Sequence, residues 1–368
     1  SLMSLRSASF FIASIGLFAS HAVVMLRPIN WALDMTGITM VMFQKAVSLT
    51  FNVSDGKKKK KGEKLVRARW DALSVEECPS FFIYLAYVFT PYGSFSNPFL
   101  EFKPFTVMLN RGNRKDEEIP PEDHKFALQR YIGAFLWAIF IQLSMTFITL
   151  ETTYKAQWYI NLPAILKIIV IPTLTIVQAS RYFPAWWMVD SGFYELGLGH
   201  SGIPTLEFED VSNLSMLKTL QSPTCDEWMR RWNHTTHLFW KNYLMTRMLN
   251  HGVNKVICNV AVFVASMAWH GLRFVYLGLL PEAFLFMAVD SYWNRKFPQK
   301  DASKFMKVCH NLWVVMTMMY STSTWYYPQF ETFVYLRCSV YFLPDIIAIG
   351  IYIMCLIIPK KKTSDKKE

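Results

Sequence analysis

The sequence predicts an all-α, polytopic integral membrane protein: a multi-span helical bundle with re-entrant and interfacial helices. Three observations carry that prediction. Of 368 residues, 52% are hydrophobic and 16% aromatic, a composition typical of multi-span membrane proteins rather than soluble domains. Apolar runs of about the length that crosses a bilayer, roughly 20 residues, recur along the chain. Lysine and arginine, 38 against 27 acidic residues, gather between those runs, as they do in cytoplasmic loops. In a soluble protein such an excess suggests nucleic acid. Here its placement argues against that partner and suits anionic headgroups or a polyanionic co-substrate.

Taken in order, residues 8–26 form a first span, ended by Arg27-Pro28. Residues 33–53 form a second, carrying Gln44 and Lys45 within it. The run Lys57, Lys58, Lys59, Lys60, Lys61 is a solvated loop that marks the cytoplasmic side. Residues 81–95 are apolar but short and are broken by Pro91 and Gly93, which reads as a re-entrant segment. Residues 110–125 form a mixed-charge loop. Residues 126–150 and 162–179 are spans, the latter kinked at Pro172.

Residues 181–252 read as a cytoplasmic or interfacial region. It opens on the aromatic cluster Tyr182, Phe183, Trp186 and Trp187, and residues 222–250 read as one or two amphipathic helices. Residues 253–291 form a helical pair with Trp269-His270-Gly271 at its middle. Residues 305–321 and 333–358 are the last spans, and a terminal lysine cluster follows. Counting crossings from the Lys57 loop returns those lysines to the cytoplasm and sends the His270 turn towards the far face. We read residues 1–368 as one membrane domain.

The six cysteines show no metal-ligand spacing and read as packing groups without a disulfide framework. His234 and His237 lack a third ligand in a recognisable set, so no metal site is predicted.

Two polar constellations stand out. One is Trp232-Asn233-His234-Thr235-Thr236 with Trp240 and Tyr243, and the other is Trp269-His270-Gly271, with Asn233 and His270 37 residues apart. An ionisable side chain inside such an apolar run is costly and is functional by default. A helix-cap or interface role is the bland reading for Asn233, and a satisfied polar group at a helix turn is the bland reading for His270.

Together the two constellations resemble the membrane-bound O-acyltransferase family, in its lysophospholipid acyltransferase branch. Asp34-Met35-Thr36-Gly37 with Gln44-Lys45 and Asp55-Gly56 resembles that branch's early segment. Pro79-Ser80 with Tyr84, Leu85 and Tyr87, and Tyr182-Phe183 with Trp186, Asp190 and Gly197 to Gly202, are similar to the segments that follow. There are departures. Family members usually carry further spans before the segment matching Asp34, which implies a truncated amino end. They often have Gly-Tyr where this chain has Val275-Tyr276, which bears on substrate subclass.

The resemblance implies a fatty acyl transfer from acyl-coenzyme A to the free hydroxyl of a lysophospholipid, at the endoplasmic reticulum membrane and without a bound cofactor. The chemistry calls for a base to take the hydroxyl proton, and histidine is the side chain suited to it. His270 is the candidate base. Asn233 is the candidate second catalytic residue, orienting the thioester or stabilising charge at its oxygen. Trp232, Thr236, Trp269 and Arg273 stand beside them as candidate substrate-binding residues. Arg273, three residues from His270, could share its helical face and bind a lipid phosphate, or could pair with Glu282. A straight helix over residues 253–269 would be roughly 25 Å long, which puts Asn233 and His270 near opposite faces unless the preceding helices enter the membrane. The rival readings are a protein acyltransferase of the Wnt-lipidating kind and a non-catalytic lipid transporter or binding protein. Oligomeric state is left open.

Overall fold

A bilayer interior offers backbone groups no water, so long apolar runs close their hydrogen bonds internally as helices. The structure, a computed structural model, describes residues 2–26, 36–91, 98–111, 121–147, 153–198, 211–213, 216–271, 273, 275–326 and 329–358. Among them there is no strand. The helices are α1 (Leu2–Leu26), α2 (Thr36–Lys60), α3 (Ala68–Leu73), α4 (Phe81–Phe89), α5 (Phe102–Arg111) and α6 (Pro121–Phe147). Next come α7 (Gln157–Ile160), α8 (Ala164–Ala179), α9 (Tyr182–Glu195), α10 (Met216–Leu220), α11 (Cys225–Arg231) and α12 (His234–Trp240). A π turn at Lys241–Met245 leads to α13 (Thr246–Asn250), α14 (Lys255–His270), α15 (Val275–Lys296), α16 (Lys304–Thr322), α17 (Phe330–Cys338) and α18 (Leu343–Ile357). Asp34, Met35, Gly199, Gly202, most of the loop predicted at 110–125 and the terminal lysines lie outside the described residues.

Among the described residues, three helical stretches are long and apolar enough to cross a membrane: Ser9–Leu26, Pro121–Phe147 and Ala164–Glu195. The last joins α8 to α9, so the apolar helix runs on into residues predicted to be interfacial. α14 is apolar but has only 16 residues. The final predicted span is two helices, α17 and α18, bent by 69°. Tyr341 and Phe342 both adopt positive φ at the break, which no hydropathy pattern announces.

The helices cluster in two compact units. In the first (Ser1–Ala138, Tyr182–Leu214, Trp232–Leu272), α2 is the hub. It is not a lipid-facing span. Its C-terminal half buries Gln44, Lys45, Ser48, Asn52, Ser54 and Asp55 beside Val47, Leu49 and Val53. Lys45 Nζ donates to the Tyr87 carbonyl at 3.0 Å and lies 5.3 Å from the centroid of the Tyr87 ring. One apolar cluster joins Leu49, Val53, Tyr87, Leu100, Phe105 and Phe193, and another joins Leu17, Phe43, Phe99, Phe239, Trp240 and Trp269.

The second unit (Ile139–Arg181, Ser215–Arg231, Arg273–Glu368) packs around Tyr159, Ile171, Phe286, Tyr320 and Leu336. Arg337 of α17 ties that helix to α15 and to the end of α16. That guanidinium grips the Glu282 carboxylate through two nitrogens (2.5 and 2.7 Å) and donates to the carbonyls of Tyr320 and Ser321 and to Ser323 Oγ. All six cysteines are free thiols.

Candidate active site

The site is built on a helical hairpin in the first unit. α12, the π turn and α13 follow one another without interruption from His234 to Asn250. Gly252, at φ 79°, turns the chain, and the Asn254 side chain caps α14 by accepting from the Val256 N–H at 2.8 Å. The hairpin is closed at Asn250 and Lys255 and open at His234 and His270. Asn233 and His270 therefore stand at the same end, not at opposite faces. The helices before α14 run alongside it, and Trp240 meets Trp269 edge to face at 6.3 Å. The π turn buries Asn242 and Tyr243; such turns widen a helix locally and recur at functional sites.

Asn233 precedes α12 in the left-handed region (φ 46°, ψ 53°), where asparagine is better tolerated than other side chains with a Cβ. Its side chain does not cap the helix. Asn213 takes that role: its Oδ1 accepts from the Thr235 N–H at 2.9 Å and from Thr235 Oγ1 at 2.7 Å. Thr235 Oγ1 in turn accepts from the Phe99 N–H at 2.9 Å. The helix-cap reading of Asn233 is thus removed, and a non-glycine residue held at positive φ is the kind of strain that collects at functional positions. Its neighbour Trp232 packs against Tyr182, Phe183 and Trp186 of α9. Thr236 is buried and accepts from Gln44 Nε2 of α2 at 3.2 Å.

His270 is the last residue of α14 and is half-buried. Trp269 before it is held at both ends. Its indole N–H donates to the Met40 carbonyl of α2 at 2.8 Å, and its carbonyl lies 3.0 Å from His21 Nε2 of α1. The Trp269 and His270 rings meet nearly perpendicular at 4.5 Å. Gly271 ends the helix at φ 129°, which strains any residue with a Cβ, and its N–H folds back to the carbonyls of Met267 and Ala268. The Trp-His-Gly motif is in this way an anchor, the candidate base and a turn.

Arg273 behaves differently from its sequence reading. Gly271 breaks the helix between it and His270, so the two do not share a helical face. Glu282 pairs with Arg337, not with Arg273. Arg273 falls in the second unit and is partly exposed.

Several residues around the hairpin were not among the site candidates read from the sequence. Asp55 binds Arg247 of α13 through both carboxylate oxygens (2.9 and 2.5 Å), and that guanidinium stacks 3.8 Å above Trp70. Gly56 has no room for a side chain: a Cβ there would sit 2.0 Å from the Val75 carbonyl oxygen. The Asp55-Gly56 pair thus ties α2 to the hairpin and admits the backbone at Val75. Tyr243 Oη lies 2.9 Å from Asn52 Oδ1 and 2.8 Å from Glu101 Oε2. His21 and Asn213 also went unremarked. The available signal was a lone histidine in an apolar span for His21, and for Asn213 there was none beyond its type.

Among the described residues, no three His, Cys, Asp or Glu side chains gather in a way that could hold a metal ion. His234 and His237 stack parallel at 6.5 Å.

Comparison with known proteins agrees with this geometry. The family model of the membrane-bound O-acyltransferase family matches residues 5–342. The chain is 22% identical to membrane-bound glycerophospholipid O-acyltransferase 1 of Homo sapiens, over 91% of this chain and 70% of that protein. It is 21% identical to lysophospholipid acyltransferase 1 of Arabidopsis thaliana, over 91% of this chain and 74% of that protein. It is also 21% identical to lysophospholipid acyltransferase 6 of Drosophila melanogaster, over 66% of this chain and 35% of that protein. The family match covers nearly the whole chain, and the hairpin unites the two motifs that first pointed to that family. The chain belongs to the membrane-bound O-acyltransferase family and is a multi-pass membrane acyltransferase.

Proposed function

We propose that this protein transfers a fatty acyl group from acyl-coenzyme A to the free hydroxyl of a lysophospholipid, in the endoplasmic reticulum membrane, with His270 as general base. The carrying observation is the shared open end of the hairpin, which holds His270 and a left-handed Asn233 relieved of helix capping by Asn213. The named relatives act on glycerophospholipids and lysophospholipids, and this favours a lipid acceptor over a protein.

In the proposed reaction the His270 imidazole takes the proton of the acceptor hydroxyl. The oxygen attacks the thioester carbonyl carbon, the C–S bond breaks, and the departing thiolate recovers the proton from the imidazolium. The products are a diacyl lipid and free coenzyme A. The Asn233 amide serves as a donor to the oxygen that gains charge in the tetrahedral intermediate. Trp232 and Trp269 offer apolar walls and Thr236 a hydroxyl. An intramembrane tunnel shields the acyl chain from water.

The test is acyl transfer by purified protein in lipid nanodiscs, from labelled acyl-coenzyme A to a panel of lysophospholipids and a peptide acceptor. His270→Ala is expected to lower kcat by roughly 10²–10⁴-fold, the range of a lost general base. Asn233→Ala is expected to lower it by roughly 10²–10³-fold, the range of a lost oxyanion donor. Undiminished transfer by His270→Ala removes the catalytic reading, and transfer to the peptide alone replaces the acceptor.

A further inference from the structure

We propose that His21, on the first helix, is a positioning residue for His270: its Nε2–H holds the Trp269 carbonyl and its ring braces the Gly271 turn. The inference rests on the reading of His270 as the base and extends it to a residue 249 positions earlier in the chain.

α1 gives the first argument. Between Ser9 and Leu26 its side chains are apolar or small apart from His21, and Phe11, Ile12, Ile15, Val23 and Leu26 are exposed. His21 is the one ionisable side chain in that stretch, and it is buried beside Leu17. A polar ring in an apolar span carries a desolvation cost, so its partner is informative. That partner is backbone on the helix bearing His270, at 3.0 Å.

The second argument is the accounting of carbonyls at the end of α14. The last four carbonyls of a helix have no partner within it. Here the Gly271 N–H serves Met267 and Ala268. Among the described residues, the Trp269 carbonyl is met by His21. In water such a carbonyl would be solvated, whereas in an apolar interior an unmet carbonyl is costly. A carbonyl only accepts, so the His21 Nε2 carries the hydrogen. The peptide that Trp269 shares with His270 is thereby fixed in plane, with the Trp269 indole tied to Met40 as a second anchor.

Gly271 gives the third argument. A Cβ built on it would lie 3.3 Å from His21 Nδ1 and 3.5 Å from Cε1. The ring therefore lies against the turn that follows the base. His21 contacts the residues on both sides of His270, which is what setting the direction of an imidazole requires. A shift of about 1 Å at a reacting group can cost roughly 100-fold in rate.

Four variants test this in nanodiscs, with kcat and KM measured separately and thermal melting recorded for each. Gln can carry an N–H near the Nε2 position, Asn reaches only as far as Nδ1, and Leu and Phe have no donor. We expect His21→Leu and His21→Phe to lower kcat by roughly 10–100-fold with KM for acyl-coenzyme A within about twofold of wild type. His21→Gln is expected to retain most of kcat, and His21→Asn to fall well below it. The comparison of Gln with Asn stands even where the apolar variants fail to fold. Equal kcat for Gln and Asn, or wild-type kcat for Leu, overturns the proposal. The controls are wild type and His270→Ala: if wild type is silent or His270→Ala is active, the reading of His270 has failed, whatever His21 does.

Discussion

Each unit contains an arginine that grips a carboxylate through two nitrogens, and the two pairs are finished differently. In the second unit, Arg337 is wholly buried, and beyond Glu282 it serves two carbonyls and a serine hydroxyl while lying 4.0 Å over the Tyr320 ring. In the first unit, Arg247 binds Asp55, reaches the Asn242 carbonyl at 3.3 Å and stacks on Trp70. In the same unit several buried polar atoms have no partner among the described residues: Gln44 Oε1, Asn213 Nδ2, Trp240 Nε1 and Asn242 Nδ2. The Arg337 cluster is a closed staple from α17 to α15 and the end of α16. The Arg247 cluster belongs to a polar interior with donors and acceptors to spare, beside the hairpin that bears the candidate base. Unmet buried groups in a native protein call for an explanation, and a binding site is one that fits here.

The largest effect should come from breaking the closed staple. Arg337→Met leaves Glu282 buried without its partner, which costs about 3–5 kcal/mol. Melting of the purified protein should fall accordingly, and activity with it. Adding Glu282→Leu should recover most of the stability, because a well-packed apolar pair can replace a buried ion pair at little net cost. A double variant no more stable than the single one would show that the staple is not a self-contained pair.

The open cluster should respond less in stability and more in activity. Asp55→Asn keeps the shape but removes the charge, weakening two charge-assisted bonds by about 1.5–3 kcal/mol in all. Asp55→Leu combined with Arg247→Met should regain stability, as at Arg337, yet stay deficient in acyl transfer because α13 is no longer tied to α2. Full activity in that double variant would erase the contrast between the two clusters.

The contrast also separates what could be read in the sequence from what could not. Long apolar runs at α1, α6 and α8 were legible because hydropathy alone decides them. The bend between α17 and α18 was not, since it lies at two aromatic residues with positive φ. α2 was read as a span with two polar interruptions, but its buried polar face appears only once Tyr87, Glu101 and Tyr243 are placed around it. His270 and Asn233 were legible from their motifs. Their placement at the same end of the hairpin was not, because it needs residues 234–250 to continue as one helical stretch through a π turn. The tie from His21 to Trp269 spans 248 residues and leaves no local pattern.

The smallest expected effect lies at Glu101, which precedes α5 outside the spans and feeds the open cluster. Burial pushes its carboxyl up to about 7, against the opposing pull of Arg69 and of hydrogen bonds from Tyr243 and Asn52. Counting protons agrees. Tyr243 has one hydroxyl hydrogen and two neighbours, Asn52 Oδ1 and Glu101. A protonated Glu101 donates to Tyr243, which is then free to donate to Asn52, whereas an ionised Glu101 takes the only hydrogen for itself. The folded pKa is raised above the unfolded one, so this group's contribution to stability is full below about 4.5 and is lost as pH rises through about 7. Melting temperatures of wild type should therefore decline from pH 5 to pH 8 more steeply than those of Glu101→Gln, which holds the neutral shape at every pH. Parallel declines in the two proteins would place the titrating group elsewhere, and a steeper decline in the variant would reverse the sign assigned to Glu101.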